Sequence, residues 1–93
     1  MFTKKEYTFI YPEYFVLIRT TDSFIEFQSK STKHCWIISK NPFKSENSRP
    51  VIIYHKHSPK IEYYHKHWEC FTVRQAIESI KKHDDYVIKY AYY

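Results

Sequence analysis

Two copies of one tetrapeptide hold most of the chain's imidazole nitrogen: Tyr54-His55-Lys56-His57 and Tyr64-His65-Lys66-His67, ten residues apart, with Ser58-Pro59-Lys60 between them. Four of the six histidines lie there. Alternate side chains of an extended strand share a face, so each copy presents two imidazoles on one side and a lysine on the other. Three chemistries suit such residues. His-x-His offers two nitrogens to one transition-metal ion. His55 and His65 as acid and base, with Lys56 or Lys66 and tyrosines stabilising charge, would cleave a phosphodiester in the manner of a metal-independent ribonuclease. Without any reaction, lysines on phosphates and Tyr54, Tyr63, Tyr64, Trp68 and the histidines as stacking platforms would bind RNA or single-stranded DNA.

Strand geometry discriminates among them. If Ser58-Pro59-Lys60 closes a three-residue hairpin, Lys56 faces Glu62 and Tyr54 faces Tyr64 on one side. On the other side His55 faces Tyr63, His65 faces Ile53 and His67 faces Val51. His55 and His65 are then diagonal neighbours ~7 Å apart, with His57 and His67 at opposite ends. A zigzag of four histidines is no tetrahedron, no carboxylate shares their face, and a Cys-x-x-Cys knuckle is missing, so no metal and no cofactor is expected. Alternation also sends the lysines to the wrong face for catalysis. The expectation is a protein that binds without catalysing.

The elements that must hold this hairpin follow from hydrophobic patterning. Tyr14 to Thr20 and Ser23 to Ser29 read as a hairpin about Thr21-Asp22, with Ile18 opposite Ile25 and Val16 opposite Phe27. A third strand around His34 to Ser39 is apolar on both faces and belongs near the middle of the sheet. Asn41 to Arg49 is a polar surface loop. Strands four and five span Val51 to His57 and Ile61 to Trp68. Thr72-Val73-Arg74-Gln75 fits a capping box, with Phe71 and Ala76 in staple positions, and opens a helix with the stripe Val73, Ala76, Ile77, Ile80. Asp84-Asp85 opposes the dipole at a helix C-terminus, so the helix should stop near His83. Tyr86 to Tyr93 then reads as a last strand, or as an arm docking on the sheet or on another copy. The fold class is α+β: a five-stranded antiparallel meander with one helix packed on one face, with or without a short final strand, in a single domain over residues 1–93.

Composition narrows the function. The 93 residues contain no glycine, against an average near ~7%. Walker loops, dinucleotide fingerprints and the RNA-recognition signature strand are thereby excluded, since each needs a backbone only glycine supplies cheaply. Lysine outnumbers arginine twelve to three, the mark of an AT-rich genome such as those of many phages and mobile elements. The net charge of +5 favours anionic partners. Cys35 and Cys70 are expected as free buried thiols in a reducing cytoplasm. The N-terminal stretch is neither signal peptide nor membrane span.

These readings converge on a small cytoplasmic binding protein that engages RNA, single-stranded DNA, or a host protein or nucleoprotein enzyme that it inhibits, as an anti-CRISPR does. It would act as a monomer or as a homodimer through its tyrosine-rich tail. The expected contact surface is the face bearing His55, His57, His65 and His67, with Tyr54 and Tyr64 beside it. Lys56, Lys60, Lys66, Lys44 and Arg49 would supply charge.

Overall fold

The computed structural model describes residues 2–40 and 49–91. A short helix α1 (Lys4–Thr8) precedes five strands, β1 (Phe15–Thr20), β2 (Phe24–Ser29), β3 (Cys35–Lys40), β4 (Val51–Lys56) and β5 (His65–Cys70), and a long helix α2 (Val73–Ala91) follows. All neighbouring strands pair antiparallel in the order β1-β2-β3-β4-β5, so β3 is central, as its two apolar faces require. The α+β meander with its C-terminal helix is therefore the fold.

Helix α1 was not expected from the sequence. It starts at a capping box in which Thr3 Oγ1 accepts from Glu6 N and the Glu6 carboxylate accepts from Thr3 N. The same carboxylate takes both its oxygens to within 2.8 Å of Lys40 Nζ, which ties α1 to the end of β3.

The registers of two hairpins are corrected. In the first hairpin Leu17 faces Phe27 and Thr20 faces Ile25, with a bulge between Leu17 and Arg19, instead of Ile18 facing Ile25 and Val16 facing Phe27. The extra residue leaves Val16, Leu17 and Ile18 all exposed on this edge strand. In the last hairpin β5 begins at His65, not Ile61, because Tyr64 is spent elsewhere. Its hydroxyl donates to Glu26 Oε2 at 2.8 Å on the outer face of the sheet, and Lys56 Nζ lies 4.7 Å from its ring centre. Residues 57–64 form the connection, turning at Pro59-Lys60 through the bond from Ile61 N to Ser58 O. Tyr54 consequently faces Lys66, and His55 faces His65.

Helix α2 opens as its sequence requires. Thr72 Oγ1 accepts from Gln75 N, and the Gln75 side chain accepts from Phe71 N. Phe71 itself is exposed, with Arg49 over its ring, rather than stapled onto Ala76. The helix does not stop at His83 and there is no final strand among the described residues: it runs on to Ala91. Asp84 is no dipole-opposed terminus. It is fully buried and accepts hydrogen bonds from Tyr14 Oη at 2.8 Å and Thr32 Oγ1 at 3.0 Å, pinning the middle of α2 to the far end of the sheet. Val87, one turn on, is buried as well.

The core lies between α2 and the inner sheet face. Ile25, Phe27, Trp36, Ile38, Val51 and Ile53 meet Val73, Ala76, Ile77 and Ile80, with Phe2 and Phe15 closing the edge. Each large side chain buried here contributes about 1.5–3 kcal/mol, which an isolated helix or hairpin of this size could not supply. Both cysteines are free and buried, in agreement with the sequence. No helix among the described residues is long and apolar enough to cross a membrane.

Candidate metal centre

The inner face carries more than hydrocarbon. Trp36 is fully buried, its indole N–H donating to Ser29 Oγ at 3.0 Å, and its ring is the floor on which the histidines gather. Pairing of β3 with β4 sets His55 opposite Trp36, and pairing of β4 with β5 sets His65 opposite His55. The His55 ring stacks on the indole at 4.2 Å between centres and 25° between planes.

Two further histidines arrive from other elements. Lys33, at φ 65°, is the only non-glycine residue in the left-handed region among those described, and it reverses the chain immediately before β3. The reversal is held by Lys33 N donating to Ser29 O and by Gln28 Nε2 donating to Lys33 O. His34 follows, two residues before Trp36 and so on the same face. Its Nδ1 lies 2.9 Å from Nε2 of His55, one nitrogen donating and the other accepting. From above, α2 lowers His83, whose ring centre is 4.8 Å from that of His55 and 5.6 Å from that of His34.

His55 is the hub: its ring neighbours those of His34, His57, His65, His67 and His83, at centre distances from 4.8 to 5.5 Å. All six histidines of the chain share one locus. The expected zigzag is thus corrected, because β5 is displaced by two residues relative to the three-residue-loop register. A two-residue shift preserves facing and turns the diagonal His55–His65 pair into a direct one. A bulge opposite the Ile53–Tyr54 step then carries His67 onto the same side, its ring 5.2 Å from that of His83.

The expected open contact surface is corrected too. The histidine face is the one that α2 covers. His55 is 2% exposed and His34 7%, while His57 and His65 stand at the solvent-facing margin and His67 between.

Electrostatics follow from crowding. Burial, and then the neighbouring imidazoles of His83, His34, His57 and His67, lower the pKa of His55 to about 3. Burial is also the leading reason that His34, His67 and His83 are lowered, and at His83 the nearby Asp84 carboxylate works in the opposite direction. These rings stay neutral at physiological pH, the form in which imidazole is a metal ligand. Nδ1 of His83 is sealed from solvent and has no hydrogen-bond partner among the described residues. An orphaned buried nitrogen costs about 1–3 kcal/mol.

His34, His55 and His83 each offer one ring nitrogen, and the three lie within 4.8 Å of one another. Ligand nitrogens around tetrahedral zinc, at ~2.0–2.1 Å from the metal, are about 3.3 Å apart. Rotamer adjustment of about 1.5 Å or less therefore closes the set on an ion. Asp84, next to His83, holds that turn of α2 through Tyr14 and Thr32, which fixes the height at which the His83 ring descends.

The other residues marked by the sequence are dispersed. Lys66 pairs with Glu69 at 3.3 Å, Lys60 is exposed in the turn, and Tyr54 is half-buried on the outer face. Arg49 donates to the Glu69 carbonyl at the far end of β5, and Lys44 lies outside the described residues. His34 and His83 were not singled out by the sequence reading, though both carried a signal. His34 alternates with Trp36, and His83 continues the stripe Ala76, Ile80, Val87 at helical spacing.

No family model, curated protein or solved structure matches this chain.

Proposed function

We propose that this chain is a small transition-metal-binding protein, with His34, His55 and His83 as the protein ligands. One observation supports the reading above others: three neutral imidazoles from a turn, a strand and a helix converge with a nitrogen of each within 4.8 Å of the others, and one of their nitrogens is buried with no partner among the described residues. Six crowded imidazoles resist protonation together even with the Asp84 carboxylate beside His34 and His83, and a cation shared by their lone pairs relieves what a proton would worsen. Nitrogen-only ligation suits zinc, copper or nickel over magnesium or calcium. The net charge of +5 keeps an anion the favoured partner of such a protein.

The test uses protein purified without a histidine tag, stripped with chelator and dialysed against zinc. One zinc per chain is expected by elemental analysis. His34→Gln and His83→Gln should each lose it while circular dichroism shows the fold retained, and His57→Gln and His65→Gln should keep it. Protein that retains no zinc, or a triad whose replacement leaves the zinc in place, overturns the reading.

A further inference from the structure

Three histidines make an incomplete set. Structural zinc sites are closed by four protein ligands, whereas a site with three leaves the fourth position to water or to an incoming group. Among the described residues His34, His55 and His83 are the one set of three potential ligands whose atoms lie within 4.8 Å of one another. His57, His65 and His67 neighbour the set by ring contact alone.

His83 and His67 border the centre on one side, their rings 5.2 Å apart between centres. Both line a cleft of about 760 Å³ that runs between β5 and one face of α2. That volume lies within the range of sites for small organic molecules, ~300–1,000 Å³. Its walls have a defined chemistry. Trp68, Phe71 and Tyr86 line it and are 51%, 54% and 64% exposed, a concentration of aromatic surface open to solvent. Arg49 and Lys82 line it as cations. The acids of the same walls are engaged: Glu69 pairs with Lys66 and Glu78 with Arg74. Arg49 is already oriented, bonded to the Glu69 carbonyl with its guanidinium 5.5 Å from the centre of the Phe71 ring.

Flat aromatic faces, two cations and a metal with a vacant position together describe a ligand that is aromatic at one end and a polyvalent oxyanion at the other. We infer that the cleft binds a nucleoside monophosphate, its base stacked on the exposed rings and its phosphate held by Arg49 and Lys82, with one phosphate oxygen taking the position that the three histidines leave open. The inference rests on the metal reading of the site. Stacking supplies about 1–3 kcal/mol per base without selecting among bases, so purine and pyrimidine monophosphates should both bind, purines more tightly. No bond is made or broken in the nucleotide.

Titration calorimetry on the zinc-loaded, tag-free protein with adenosine monophosphate tests it. Binding is expected to be at least tenfold tighter with zinc than after chelation. Adenosine, lacking the oxyanion, and inorganic phosphate, lacking the base, should each bind at least tenfold more weakly than the nucleotide. Arg49→Ala and Lys82→Ala should each weaken the nucleotide severalfold while zinc content stays at one per chain. Trp68→Ala should weaken adenosine monophosphate and leave inorganic phosphate unchanged. If zinc is retained but the nucleotide binds equally well without it, or is indifferent to the cleft substitutions, the cleft assignment falls and the metal reading stands. Protein that retains no zinc overturns both.

Discussion

His55 is the residue on which the centre turns, and in the metal-free protein its burial makes it a pH sensor. Above pH 6.5 neither folded nor unfolded chain protonates it, and it imposes no cost. As pH falls from 6.5 towards about 3, the unfolded chain takes a proton that the folded one refuses. Stability should therefore drop by about 1.4 kcal/mol per pH unit across that window from this residue alone. His34, His67 and His83 are lowered in the same direction and add to the slope. Urea midpoints at pH 7.5, 6.5 and 5.5 measure it. His55→Phe keeps a ring on Trp36 without a titrating nitrogen, so its slope should be shallower by that amount; an unchanged slope would remove His55 from the account. Asp84 makes a second residue-scale case. Asp84→Ala leaves the Tyr14 and Thr32 hydroxyls without their buried acceptor and should cost about 3 kcal/mol in chemical denaturation. In the Tyr14→Phe background the same change should cost less, because the Tyr14 hydroxyl is no longer there to lose its acceptor.

At the scale of elements, the turn that delivers His34 is built against local preference. A chain with no glycine must place lysine at φ 65°, where a side chain bearing Cβ is disfavoured. Lys33→Gly should raise stability by about 1 kcal/mol without moving His34, and Lys33→Val should lower it by a comparable amount. Thermal denaturation of the two variants decides the matter. The strands and the start of α2 were legible in the sequence because period-two and helical patterning and a capping residue are local signals. The β4–β5 register was not. It depends on Tyr64 leaving the strand to reach Glu26, a contact between residues 38 positions apart that no local pattern announces. The end of α2 was misjudged for a related reason. Asp84 disfavours a helix terminus only if it is one, and its two hydroxyl partners lie on distant parts of the chain. In both places a polar side chain finds its partner far away in sequence, and both bear on where the histidines gather.

Across the whole molecule, one core and one helix-covered face mean that ligation and folding are coupled. The three proposed ligands come from the approach to β3, from β4 and from α2, so an ion joining them staples helix to sheet. Zinc at a free concentration a hundredfold above its dissociation constant should add about 2.7 kcal/mol. For a chain of this size that corresponds to a rise of at least about 10 °C in melting temperature. Differential scanning calorimetry with zinc and with excess chelator should show this shift in a single transition. Equal melting temperatures would mean that no ion bridges the helix to the sheet. The stacking of His55 on the fully buried Trp36 has an optical consequence. Indole emission is quenched by a cationic imidazole in contact with it and by copper or nickel near it, so the core tryptophan should brighten or dim with the state of the centre. Trp68, being half exposed, emits further to the red and separates from it by wavelength. The protein thus carries its own lamp at the floor of the histidine cluster, and the occupancy of that cluster can be followed by light in the unlabelled chain.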